Sequence, residues 1–244
     1  MEEGGEGEKE KSEKEKKQVS KKGTEEKTEK FLITGASKAM VQKYVTAFKL
    51  AGLDLVSLET ETFAIIRSLI GKDKSRTMIV DLGAVRTNII IVENGIPYVT
   101  RSLDMGGHSF TEAMSKTLSM NMMDAEKMKT DIKTVSSLYP NDTLPKLFEN
   151  AVAPMITELQ YSMNLYVNQG GSDEEPKTIE KIILTGGASA LPSLATYIAE
   201  KLNTKTYVGD PWARVVYPDA LRPVLDELGP RFAVGIGLAM RDIE

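Results

Sequence analysis

The sequence predicts an α/β fold, and three observations carry that prediction. Short apolar runs rich in β-branched residues are interspersed with longer segments whose apolar residues recur every three or four positions. Three such runs follow one another between Thr77 and Asp104, and Asn94-Gly95, a tight-turn dipeptide, separates the last two. A further run, IEKIILTGG, leads directly into a helical pattern, which makes a β/α arrangement.

In chain order, FLITGAS (31–37) predicts an apolar strand, and a helix from about Lys38 keeps Val41, Tyr44, Val45 and Phe48 on one face until Gly52 ends it. A short strand from Leu55 to Leu58 and a helix from Thr60 to Leu69 follow. The runs TMIVDLG, TNIIIVENG and IPYVTRSLD predict an antiparallel meander. Beyond Gly106-Gly107, helices are expected to about Asn121, from Ala125 to Leu138 and from Leu144 to Gln169, with a polar loop from Gly170 to Pro176. After IEKIILTGG comes a helix with Leu191, Leu194, Ala195, Ile198 and Leu202 on one face and Pro192 in its first turn. A strand over 205–208 and a final Gly/Ala-rich helix from Arg231 to Met240 complete the chain, and that helix suits close packing by another element.

Composition narrows the function. The chain has 244 residues, no Cys and one His, so disulfides, Cys-based metal sites, thiol nucleophiles and histidine clusters are excluded. The formal net charge is −4, with Lys and Arg mixed among acids, which gives no nucleic-acid footprint. No apolar run reaches the ~18 residues of a spanning helix, and MEEGGEGEKE has no signal-peptide core. Residues 1–30 hold 10 Glu and 9 Lys with almost no apolar side chain, so they are expected to be disordered; four glycines weaken the alternative of a charged helix.

Chemistry is concentrated at three places. Asp81-Leu82-Gly83-Ala84-Val85-Arg86-Thr87-Asn88 lies at the turn between the first two meander strands. A phosphate-binding hairpin needs a small residue for backbone approach, a hydroxyl donor and a carboxylate for hydrated Mg²⁺, which Gly83, Thr87 and Asp81 can supply. An ordinary hairpin would also place Asp and Gly here. Thr185-Gly186-Gly187-Ala188 sits between a strand and a helix, where a ligand can approach bare backbone or where glycine merely permits close packing. Gly106 and Gly107 open a helix, and a plain turn explains them nearly as well.

Together these motifs resemble the actin-like ATPase superfamily, and within it the PilM proteins of type IV pilus assembly. In the superfamily DxGxxxT is the second phosphate motif, and a strand ending in TGG is the adenosine motif. AGLDLVSLETETFAIIRSL, RSLDMGGHSFTEAM, DPWARVVYP and FAVGIGLAMR extend the resemblance over nearly all of 31–244. It implies a ribonuclease-H-like actin fold with the second half (77–204) complete, an outer helical subdomain at about 121–169, and a partial first half from 31–76 and 205–244. ATP is the implied cofactor, with Asp81 as the Mg²⁺ residue and Asp81, Gly83, Thr87, Gly106, Gly107, Gly186, Gly187 and Ala188 around the nucleotide. Glu61 stands where the superfamily carries an acid that orients the attacking water; the alternative is a first-turn acid favoured by the helix dipole.

The resemblance further implies a cytoplasmic scaffold at the inner face of the inner membrane. It would dock a membrane-anchored PilN-like protein and couple to the assembly motor. Nothing before Phe31 matches the superfamily's first phosphate motif, so the chain is expected to be the C-terminal two-thirds of a PilM, to bind ATP poorly, not to turn it over and to self-associate through an uncovered sheet edge. An FtsA-like division protein and a pseudo-scaffold that binds protein without nucleotide are the alternatives. Glu158 matches a family Glu on the helix facing the nucleotide, with Tyr161 where PilM proteins commonly carry Arg. His108 is expected to be a turn residue. Met105, Met114, Met120, Met122, Met123 and Met128 are expected to form adaptable core, with a partner groove as the alternative.

Overall fold

A computed structural model describes residues 31–131, 146–169 and 177–243. The expected disordered segment 1–30, the polar loop 170–176 and the end of the second expected helix lie outside these residues. The chain divides into two compact units, residues 1–58 and 59–244.

In the first unit, the described residues hold one helix, α1 (Lys38–Leu50). Ser37 caps it, its hydroxyl accepting a hydrogen bond from the Met40 backbone N–H at 3.2 Å. No residue from 31 to 58 is buried. FLITGAS and Leu55–Leu58 were expected as strands and are extended backbone without strand pairing. A strand exists only by exchanging hydrogen bonds with a neighbour, and among the described residues neither segment has one.

The second unit is built on a five-stranded sheet. Its strands are β1 (Thr77–Leu82), β2 (Thr87–Glu93), β3 (Ile96–Leu103), β4 (Lys181–Thr185) and β5 (Thr206–Val208), in spatial order β3-β2-β1-β4-β5. The expected meander forms: β1 and β2, and β2 and β3, are antiparallel, with Asn94 and Gly95 both at positive φ as a two-residue hairpin turn requires. β4 joins β1 in parallel and β5 joins β4 in parallel.

Both faces of the sheet are covered, which is why β1 reads as a continuous apolar run. Side chains alternate strictly. Met78, Val80, Leu82, Ile89, Ile91, Ile182 and Leu184 join one core with α3 (Gly107–Leu118), α4 (Met122–Thr130), α5 (Lys146–Val167) and α6 (Leu194–Leu202). Ile79, Ile90, Val92 and Ile183 face the other way and pack against Ile65, Ile66 and Ile70 at α2 (Glu61–Leu69) and Val234 of α7 (Arg222–Ala239). Met105 and Met114 are buried in the first core, with Met120 and Met128 packed against it, while Met122 and Met123 are exposed.

Several boundaries differ from expectation. The helix after Gly107 stops at Leu118, because Ser119 adopts a left-handed conformation and Asn121 caps a separate helix. Pro192 lies in a turn ahead of α6 rather than in its first turn, since Gly187–Ala190 forms a short 3₁₀ segment first. The last helix begins at Arg222 instead of Arg231 and runs through Pro230.

Candidate functional site

The site is assembled where β1 and β4, side by side and parallel, both end. Register pairs Asp81 with Asn88 of β2 on one side and with Thr185 of β4 on the other. Alternation gives Asp81 the same face as Ile79, the face covered by α2. Glu61 is the first residue of α2, after Thr60, where the helix dipole favours a carboxylate.

Two acids on one face affect each other. Burial, and then the negative charge of Glu61, push the Asp81 carboxyl above the usual carboxylate range, while a hydrogen bond with the Asn88 side chain pulls the other way. A half-buried carboxylate disfavoured in this manner gains from a cation. The fit to Mg²⁺ is good in kind: that ion keeps most of its waters and takes one or two carboxylates plus substrate phosphates. Among the described residues no group of three or more potential metal ligands occurs, so Asp81, with Glu61 nearby, would be the protein's contribution.

Gly186 of the TGG turn packs directly against this acid. A Cβ at Gly186 would lie 2.6 Å from Asp81 Oδ1 and 2.5 Å from the Leu82 carbonyl oxygen, and Gly186 has φ 83°, so only glycine lets the TGG turn reach the carboxylate. The Gly186 N–H and the Thr185 hydroxyl both donate to the Pro230 carbonyl, at 2.9 and 3.0 Å, which anchors α7 to this turn. A Cβ at Gly106 would lie 2.6 Å from the Gly83 carbonyl oxygen, and one at Gly107 would lie 3.3 Å from Ala188 Cβ. Asp81, Gly83, Gly106, Gly107, Gly186 and Ala188 are thus neighbours in space, with Gly106, Gly107 and Gly186 themselves buried.

Thr87 is placed differently from the other members of its motif. It is fully buried on the face opposite Asp81, and its hydroxyl donates to the Met105 carbonyl at 2.7 Å. The period of two decides this, because Thr87 shares the face of Ile89 and Asn88 takes the place beside Asp81. The turn's own donors and acceptors are also engaged: Gly83 N–H donates to Arg86, and Gly107 and His108 N–H donate to the Gly83 and Ala84 carbonyls at 2.9 and 2.8 Å. His108 is an exposed first-turn residue of α3, 3.9 Å from Glu112.

Beside the TGG turn lies a small pocket lined by Phe110, Lys129, Gly187, Ala188, Leu191 and Arg231, among others. Lys129 donates to the Gly107 carbonyl (2.9 Å), the Thr111 hydroxyl (2.8 Å) and Glu126 (2.7 Å). Burial opposes the charge on Glu126, but hydrogen bonds from Lys129 and Thr111 prevail and hold its carboxyl below the usual range. Lys129 and Arg231 escape a reading of motifs, and Asn88, though it ends the Asp81 stretch, has no role assigned by it. Only hairpin register would have given Asn88, and tertiary packing alone brings Lys129 and Arg231 to Gly187. Glu158 does not line this pocket; it pairs with Arg101 of β3, whose guanidinium lies 4.7 Å from the centre of the Tyr161 ring.

A family model described as type IV pilus assembly protein PilM matches residues 16–243. This chain belongs to the PilM family. Among curated proteins, cell division protein FtsA of Bacillus subtilis (strain 168) is 22% identical over 200 residues, covering 74% of this chain and 44% of FtsA. A chain of a PilM-PilN type IV pilus biogenesis complex superposes with TM-score 0.66 and 27% identity, covering 84% of this chain and 58% of that one. Ethanolamine utilization protein EutJ from Carboxydothermus hydrogenoformans gives 0.57 at 18% identity (84% and 62% covered). MreB5 of Spiroplasma citri bound to ADP gives 0.55 at 14% (86% and 67% covered). The fold is that of the actin-like ATPases. The chain spans less than half of FtsA and under two-thirds of the pilus-complex chain. No helix among the described residues is long and apolar enough to cross a membrane.

Proposed function

We propose that this PilM-family chain is a nucleotide-binding scaffold of type IV pilus assembly that works at the inner face of the inner membrane, docks a membrane-anchored PilN-like protein and couples it to the assembly motor. The supporting likeness for the partner is the pilus complex, which pairs a PilM with a PilN. The supporting likeness for the ligand is MreB5 of Spiroplasma citri, whose structures hold ADP or AMPPNP. The observation that carries the nucleotide reading is the contact of Gly186 with Asp81: bare backbone and a cation-seeking carboxylate meet at the ends of two parallel strands. In this reading Asp81 holds hydrated Mg²⁺, Glu61 orients water on the same face, and residues 77–204 and the flanking segments are the two actin-like halves. Bound Mg-ATP would supply the polyanion; the chain's own groups bind and orient it.

Calorimetric titration of the full chain tests this. Mg-ATP should bind weakly, and Asp81→Ala should weaken Mg-ATP more than metal-free ADP; equal weakening would remove the metal role from Asp81. Phosphate release is expected to stay near blank, because the hydroxyl of Thr87 and the N–H groups of Gly107 and His108 already have partners within the chain. The same saturation favours a second reading, a scaffold that binds protein and no nucleotide, which absence of any titration signal would select.

A further inference from the structure

We propose that Arg231 is a base-stacking residue of the nucleotide site, an inference that rests on the nucleotide reading above. Arg231 follows Pro230, whose carbonyl holds both the Gly186 N–H and the Thr185 hydroxyl, so its backbone is fixed against the TGG turn. Its side chain then runs across bare backbone: Nε and Cγ lie 3.6 and 3.7 Å from where a Gly187 Cβ would stand. Arg231 lines the pocket with Gly187, Ala188, Ala190 and Leu191, beside Lys129 and Thr130.

The charges beside this pocket are unequal. Lys129 is neutralised by Glu126 and held by two further acceptors. Arg231 is exposed and makes no ion pair among the described residues. A planar, weakly hydrated cation beside an apolar floor is an arrangement suited to the face of a heteroaromatic ring. It is less suited to a triphosphate, because Lys129, the other cation of the pocket, is already held by Glu126, the Thr111 hydroxyl and the Gly107 carbonyl. The geometry therefore assigns Arg231 to the purine base and not to the phosphates.

Titration of the full chain with ATP, ADP and adenosine separates the outcomes. Arg231→Ala should weaken all three by the same factor, about 3- to 30-fold, the range that such stacking spans. Arg231→Lys, which keeps charge and loses the plane, should fall between. A loss for ATP and ADP that spares adenosine would make Arg231 a phosphate contact and overturn the proposal. Unchanged affinity in a variant whose urea midpoint is unaltered would remove Arg231 from the site, with the nucleotide reading intact. Failure of the unaltered chain to bind any of the three would sink that reading itself, and this inference with it.

Discussion

Helices α1 and α2 carry the same kind of sequence pattern and have opposite surroundings. The shorter helix, ETFAIIRSL, buries Ala64, Ile65, Ile66 and Ser68. The longer one, KAMVQKYVTAFKL, has a side-chain cap and an apolar face of Met40, Val41, Tyr44, Val45 and Phe48, yet buries nothing. What separates them is supply rather than demand. α2 finds the Ile79, Ile90 and Ile183 face of a sheet, whereas the described residues of 31–58 include no sheet of their own. Amphipathic spacing states that a segment requires a partner; it does not state that the partner is present.

The sharpest test of this contrast is paired truncation. Phe110 is fully buried and meets the Phe148 ring edge-on at 5.8 Å, so Phe110→Ala should cost about 3–5 kcal/mol in urea unfolding. Leu50, 83% exposed, should cost under about 0.5 kcal/mol when changed to Ala. A loss above about 1 kcal/mol at Leu50 would show that its face is covered in solution, as self-association of the chain would produce.

A second contrast lies within one helix. A Cβ at Gly237 would stand 1.8 Å from the Ala64 carbonyl oxygen, and the Gly237 carbonyl accepts from Arg67 at 2.8 Å, so this turn of α7 lies directly on α2. Gly235, two residues away, faces open space. Gly237→Ala should destabilise by about 1–3 kcal/mol or more, since backbone blocks the new methyl. Gly235→Ala should stabilise by about 0.5–1 kcal/mol through helix propensity alone. Equal effects at the two positions would mean that α7 does not sit on α2 as described.

The candidate acid permits a test in pH. Asp81 has its folded pKa raised, by burial and then by Glu61, so the folded state prefers the protonated carboxyl. Its contribution is full below the ordinary Asp range and is lost as pH rises through the folded pKa. Asp81→Asn should accordingly be more stable than the unaltered chain at pH 7 and lose that advantage at low pH. Stability of a candidate site that rises when its acid is removed is the mark of a functional carboxylate; a loss at pH 7 would instead make Asp81 a structural group.

How much of this was legible depends on the range of the interaction. The runs TMIVDL, TNIIIVE and KIILT announce strands because burial on both faces leaves nearly continuous apolar sequence, and Asn94-Gly95 fixes one turn by local sterics. FLITGAS has equal strand character and is no strand, because pairing is a property of neighbours. Asp81, Gly186 and Gly187 stood out as chemistry at element ends. Thr87 read as their companion by spacing, and the two-residue period turned it to the opposite face. Arg231 lies 44 positions beyond Gly187 and no local pattern joins them.

The smallest expected effect concerns the opposite end of the sheet and has the reverse sign. Asp73 precedes β1 and is hydrogen-bonded by Lys181 of β4 and by the Ser75 N–H at 2.8 Å. The Lys181 bond first, and the Ser75 bond next, lower its carboxyl to about 2 from an ordinary 3.8. A depressed folded pKa contributes stability above the unfolded value, and that contribution disappears as pH falls from about 4 towards 2. Asp73 is 40% exposed, so water screens the pair and its worth stays under about 1 kcal/mol. Asp73→Asn, measured by urea unfolding, should lose that amount at pH 7 and nothing near pH 2. The pH dependence is therefore opposite to that of Asp81→Asn, which separates a carboxylate held by cations from one held beside another acid. A Asp73→Asn deficit that persisted undiminished at pH 2 would show that shape at the turn, and not charge, ties Asp73 to β4.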